Sequence, residues 1–136
     1  MVALIAALLA NVLLLVVILV GQPSLRIAQH GMDYALSNFD VRQEENKLEK
    51  RLAMVRNNQL EAMALWVPVV VAALWVFPHD YTSTALTYAA WGHVIARVLY
   101  SLVSVAGVPY ARSAIWGVSF VAWAVVLWQV AAQLLG

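Results

Sequence analysis

The chain contains no cysteine. That absence excludes a disulfide framework, a zinc–thiolate site, an iron–sulfur cluster and a protein thiol as nucleophile. Charge is nearly as scarce. Eight basic and seven acidic residues make up 11% of the 136 positions, against about 25% in an ordinary soluble domain. The net charge is +1, so no bulk attraction to nucleic acid follows, and nucleic acid is not an expected partner. What the chain does have is apolar surface: 64% of residues are hydrophobic and the mean hydropathy is +0.81. A soluble globule this small could not hide so much of it. The composition implies an integral membrane protein in contact with the lipid bilayer.

The charges are unevenly placed. Eleven fall between Arg26 and Arg56, and only Glu61, Asp80, Arg97 and Arg112 lie elsewhere. The pattern predicts an all-α integral membrane four-helix bundle, one domain over residues 1–136. The spans are expected at about 2–21, 52–77, 82–106 and 110–135, with a cytoplasmic loop over 22–51. Val2–Val20 has Asn11 as its only strongly polar member and is long enough to cross a bilayer core. A signal peptide fits it less well, because it lacks a basic n-region and no A-x-A site precedes Gly21–Pro23. Pro68 is placed to kink the second span, and Pro78–Asp80 and Gly107–Pro109 read as turns. Lys and Arg are concentrated in the first loop, with Arg112 at the edge of the third, so the positive-inside rule puts both loops in the cytoplasm and both termini outside. Trp75, Phe77, Tyr81 and Trp128 then fall near the outer interface.

Two polar stripes run inside the spans. Arg51, Met54, Asn58, Glu61 and Leu65 share one face of the second span, and His93, Arg97, Tyr100 and Ser104 share one face of the third. Glu61 lies nine residues from Leu52, roughly 13 Å deep at 1.5 Å per residue. Arg97 lies ten residues before Gly107 and Asn11 ten before Gly21, each roughly 15 Å from the same side. An unpaired charge at that depth costs at least about 2.5–3.5 kcal/mol. Glu61 and Arg97 are therefore expected to pair with each other or with a polar ligand. One reading is that Asn58, Glu61 and Arg97 only bind helices together; the other is a ligand site. His93 alone reads as a packing residue. A metal site is not expected, because His30, His79 and His93 fall on different levels.

The order of motifs resembles a family. Asn58-Gln59-Leu60-Glu61, leading into Ala64-Leu65-Trp66-Val67-Pro68, is similar to the N-x-x-E signature of the MAPEG family, the membrane-associated proteins of eicosanoid and glutathione metabolism. Ala96-Arg97-Val98-Leu99-Tyr100 resembles its A-R-x-x-Y, and Pro109-Tyr110-Ala111-Arg112 its P-x-x-R step into the last helix. The stretch Tyr34–Asp40 is similar to the G-N-R-D-type segment of bacterial members. The resemblance covers essentially the whole chain. It departs from the family at Met54, where many members carry arginine.

The resemblance implies a homotrimer that binds glutathione between neighbouring subunits on the cytoplasmic side, in the inner membrane of a bacterium. It implies conjugation of glutathione to lipophilic electrophiles, or reduction of lipid hydroperoxides with it. Arg97, Arg112 and Tyr100 would then be catalytic, and Arg51, Asn58, Glu61 and Arg97 would hold glutathione as co-substrate. The nucleophile would be the sulfur of glutathione, which the absence of protein cysteine does not oppose. A non-catalytic lipid-binding or scaffold trimer remains the alternative. A transporter or channel subunit fits worst, since the outer half of every span is apolar.

Overall fold

The computed structural model describes residues 1–36, 44, 46–81 and 83–136. Most of the Tyr34–Asp40 motif lies outside those residues. The described chain is all-helical: α1 (Val2–His30), α2 (Met32–Leu36), α3 (Lys47–Val76), α4 (Thr84–Ala106) and α5 (Pro109–Leu135). Four of these are long and apolar enough to cross a membrane. The shortest of the four, α4, has 23 residues, about 35 Å at 1.5 Å per residue, against a hydrocarbon core of about 30 Å. The protein is a multi-pass integral membrane helical bundle.

Local chemistry fixes most helix ends. Asn46 accepts from the Glu49 backbone N–H at 2.9 Å, and the Glu49 carboxylate accepts from the Asn46 N–H at 3.0 Å. This reciprocal capping box starts α3 at Lys47, one turn before the apolar run that marks the span in the sequence. The Ser83 hydroxyl accepts from Leu86 N and starts α4. Gly107, at φ 85°, closes α4 in the left-handed region that glycine adopts without penalty, and Pro109 opens α5.

The first helix departs from the expected boundary. It continues through Gly21–Pro23 to His30, so much of the expected loop is helical. Pro23 leaves the Leu19 carbonyl without its helical donor. Contacts to α3 hold the extension in place. Gln22 accepts from Arg56 Nη1 at 2.7 Å. Glu49, 1% exposed, faces Arg26 at 3.8 Å and His30 at 3.3 Å.

The bundle interior is divided. Around the Phe77–Ser83 connection it is apolar, with Leu4, Trp66, Val70, Ala73, Ala90 and Val126 among the core residues. Phe77 belongs to this core, stacked on Tyr81 with centroids 4.5 Å apart. The other half buries Asn11, Gln22, Gln59, Arg97, Ser101 and Ser104. Outward-facing Leu9, Leu13, Val17 and Val20 of α1 are exposed, as lipid-facing residues are. The most buried of the four spans is α4, and the polar stripe it carries faces inward.

Candidate functional site

Arg97 is the centre of the polar half. It is 1% exposed, and its guanidinium is held by two amides of α3: Nε donates to Gln59 Oε1 at 2.9 Å and Nη2 to Asn58 Oδ1 at 2.8 Å. Its Cζ lies 4.7 Å from the ring centroid of Tyr100, one turn along the same helix. Gln59 is fully buried and reaches the Asn11 carbonyl of α1 at 3.5 Å. Of the three residues read at matched depth, Arg97 and the backbone of Asn11 are linked across α1, α3 and α4 through Gln59. Glu61 stands outside this network, and the Asn11 side chain donates to the Ala7 carbonyl. Arg97 and Glu61 do not form the expected ion pair. Glu61 is exposed, and among the described residues it has no hydrogen bond or ion pair. Neutral amide oxygens satisfy part of the cation, and among the described residues no carboxylate is in ion-pair contact with it. A guanidinium has five N–H donors. The two hydrogen bonds leave three for a ligand.

Arg97, Asn58 and Glu61 line a cleft of about 90 Å³ between α3, α4 and α5. Its remaining walls are Ala62 and Leu65 on α3, His93 on α4, and Trp116, Ser119, Phe120 and Trp123 on α5. The mouth of the α3–α5 groove is pinned where Trp123 Nε1 donates to the Leu65 carbonyl at 3.0 Å. That carbonyl sits next to the one that Pro68 deprives of a donor.

A second cleft, of about 300 Å³, opens where α3 starts, α4 ends and α5 begins. It is lined by Lys50, Arg51, Met54, Ser104, Gly107, Val108, Pro109 and Arg112, with no acidic residue. Arg51 Nη1 donates to the Val105 carbonyl at 3.0 Å, and its guanidinium packs directly on Gly107. Arg51 therefore caps the C-terminus of α4, where a cation also meets the negative end of the helix dipole. Arg112 Nη1 contacts Met54 Sδ at 2.8 Å, and a thioether is a weak acceptor.

The residues expected from the sequence therefore form two adjoining groups. Asn58, Glu61 and Arg97 share the first cleft; Arg51 and Arg112 share the second, with Met54 between Arg112 and the first group. Tyr100 lines neither cleft and underlies Arg97. Arg56 turns to α1 and Asn57, away from both clefts. Sequence reasoning missed Gln59. It lies on the face of α3 that also buries Val55, Met63 and Trp66, next to the amphipathic stripe that drew attention. A lone amide among apolar residues at helical spacing was the available signal. It also missed the partners of His93. The ring stacks on Trp66, centroids 4.1 Å apart at 5°, and Nδ1 lies 3.1 Å from both the carbonyl and the hydroxyl of Ser119. Among the described residues no group of three His, Asp or Glu is arranged to hold a metal ion.

The family model described as the MAPEG family matches residues 2–132. No curated protein and no solved structure matches the chain.

Proposed function

Since the chain belongs to the MAPEG family, a membrane family of eicosanoid and glutathione metabolism, we propose that it binds glutathione in the two adjoining clefts and transfers it to, or oxidises it with, a lipophilic substrate. The observation that carries this is Arg97: a buried cation held by neutral amides, with no carboxylate in ion-pair contact among the described residues and three N–H donors unused by the protein, lining a cleft. Such a group in a membrane span is expensive and marks a site.

The length and charges of the groove fit a tripeptide. From Met54 to Glu61, α3 rises about 10 Å, close to the span of three extended residues. Glutathione carries two carboxylates, one ammonium and a thiol. Arg51 and Arg112 stand at one end for a carboxylate, Asn58 offers an amide in the middle, and Glu61 offers a carboxylate to the ammonium. Arg97 and Arg112 are the cations available to a thiolate. An ordinary thiol has a pKa near 8.5, and lowering it by about two units takes about 2.7 kcal/mol. An arginine held in a dry site supplies this by proximity and stays charged there. Tyr100 supports Arg97 through its ring face, so its part is to position the guanidinium. The protein is expected to work as a homotrimer in a bacterial inner membrane, with the basic end of the bundle in the cytoplasm.

A second reading, a lipid-binding trimer without catalysis, is favoured by one contact. Met54 stands where many members of the family carry arginine, and it occupies the Arg112 fork. The test is to titrate the purified protein in detergent with glutathione and follow thiolate absorbance in the ultraviolet. The enzyme reading expects a saturable thiolate signal at or below millimolar glutathione. Its absence favours the lipid-binding protein.

A further inference from the structure

We infer that the cleft between α3, α4 and α5 also takes a lipophilic phenol, a hydroxylated aromatic ring whose O–H donates to Nε2 of His93. The inference concerns a second ligand for the cleft whose Arg97 is offered above to glutathione; the two would compete there, and the inference does not need glutathione to bind.

His93 is 3% exposed and lines the cleft, and its Nε2 is a buried polar atom with no partner among the described residues. The character of that atom follows from the other nitrogen. Nδ1 lies 3.1 Å from the Ser119 carbonyl, and a carbonyl oxygen can only accept. The Ser119 hydroxyl, also 3.1 Å from Nδ1, can donate or accept. A proton on Nδ1 thus serves both contacts, whereas a bare Nδ1 would set its lone pair against the carbonyl. That tautomer leaves Nε2 as a lone-pair acceptor. The ring is not free to turn away, because it lies parallel to Trp66 at 4.1 Å. A fixed, buried acceptor without a donor is costly to leave unmade. The missing partner is an O–H or N–H supplied by something in the cleft.

The walls narrow the choice. Trp116 and Phe120 are stacked with centroids 5.5 Å apart, and Trp123 follows at 5.3 Å. Trp116 and Phe120 are each about half exposed, so the cleft opens between α3 and α5 to the outside of the single chain. Aromatic walls favour an aromatic ring by offset or edge contacts. A free volume of about 90 Å³ is of the order of the cavities that hold a single ring, the engineered benzene-binding cavity being about 150 Å³ and fully closed. Arg97 lines the same cleft as His93 and keeps N–H donors that the protein does not use. One oxygen that both donates and accepts satisfies the two groups together. A phenol has such an oxygen; an ether lacks the proton, and a carboxylate would set its lone pairs against Nε2.

The test uses a matched pair of probes, 4-hexylphenol and 4-hexylanisole, which differ in that proton. The full chain, labelled with 15N-histidine, is reconstituted in detergent without glutathione and titrated with each, corrected for partition into empty micelles. The expected result is an upfield shift of the His93 Nε2 resonance with the phenol alone, and at least tenfold tighter binding of the phenol. His93→Phe keeps a ring against Trp66 and is expected to abolish the preference; His93→Gln restores an acceptor and part of the preference. Equal binding of the two probes, absence of binding by both, or a preference that survives His93→Phe would overturn the inference. If His93→Phe does not fold, the wild-type resonance decides alone. A failure of glutathione to bind, with the phenol preference intact, removes only the earlier proposal.

Discussion

Arg97 Nε lies 2.9 Å from Gln59 Oε1, so the most deeply buried cation of the bundle is anchored by a neutral amide. An amide fixes the guanidinium without cancelling its charge, and this leaves Arg97 able to attract an anion. Replacing Gln59 by glutamate separates the two effects. Gln59→Glu is expected to keep the bundle stable, because it supplies an acceptor of opposite charge, yet to weaken glutathione binding tenfold or more. Gln59→Leu leaves a buried donor unpaired and is expected to cost about 1–3 kcal/mol. Unfolding in graded dodecyl sulfate, followed by circular dichroism, gives the stability. Unchanged glutathione affinity in Gln59→Glu would contradict the role given to uncompensated charge.

Glu49 joins two helices and caps one of them. It accepts from Asn46 N while facing Arg26 and His30 of α1. Glu49→Ala removes half of the capping box and the carboxylate that faces Arg26 and His30. The expected loss is about 1–3 kcal/mol, since hydrogen bonds to a charged group exceed those between neutral ones. Limited proteolysis should show earlier cleavage at the end of α1. If cleavage and stability match wild type, the clamp does not hold α1.

Gly107 is needed for two reasons. Its φ of 85° is a left-handed conformation that costs other residues about 1–2 kcal/mol, and a Cβ there would collide with the Arg51 guanidinium. Gly107→Ala should therefore destabilise by at least that amount and displace Arg51 from the Val105 carbonyl. In an Arg51→Ala background the collision is gone, so the cost of Gly107→Ala should fall toward the backbone penalty. A double-mutant cycle measures the difference. Strict additivity would show that the contact is not felt.

The Trp123–Leu65 hydrogen bond ties α5 to α3 next to Pro68. Trp123→Phe keeps an aromatic wall and loses the donor. The expected cost is about 0.5–1.5 kcal/mol in the same unfolding assay. A neutral result would place the crossing of α3 and α5 on packing alone.

The spans were legible because a helix that crosses lipid must be long, apolar and almost free of charge. The ends were less so. Pro23 reads as a break in the sequence, but Gln22, Arg26 and His30 reach partners on α3 that only the folded chain brings near. Helix periodicity found the Arg97 stripe because α4 is buried along that face. It chose Glu61 as the partner on grounds of charge and depth. Gln59, two positions earlier, faces inward and Glu61 does not. Pattern alone could not decide which of two neighbouring polar positions turns toward α4. Nor could it show that the carbonyl and hydroxyl of Ser119 on α5 would meet His93 Nδ1, because that contact spans 26 residues.

On the proposed function, Arg97 serves a ligand and not only the bundle. Calorimetric titration of glutathione into the wild-type protein and into Arg97→Leu, each first shown to be folded and of wild-type oligomeric state, tests it most directly. Saturable binding at or below millimolar glutathione is expected in wild type and none in Arg97→Leu. Equal binding by the two proteins, or no binding by wild type, would contradict it.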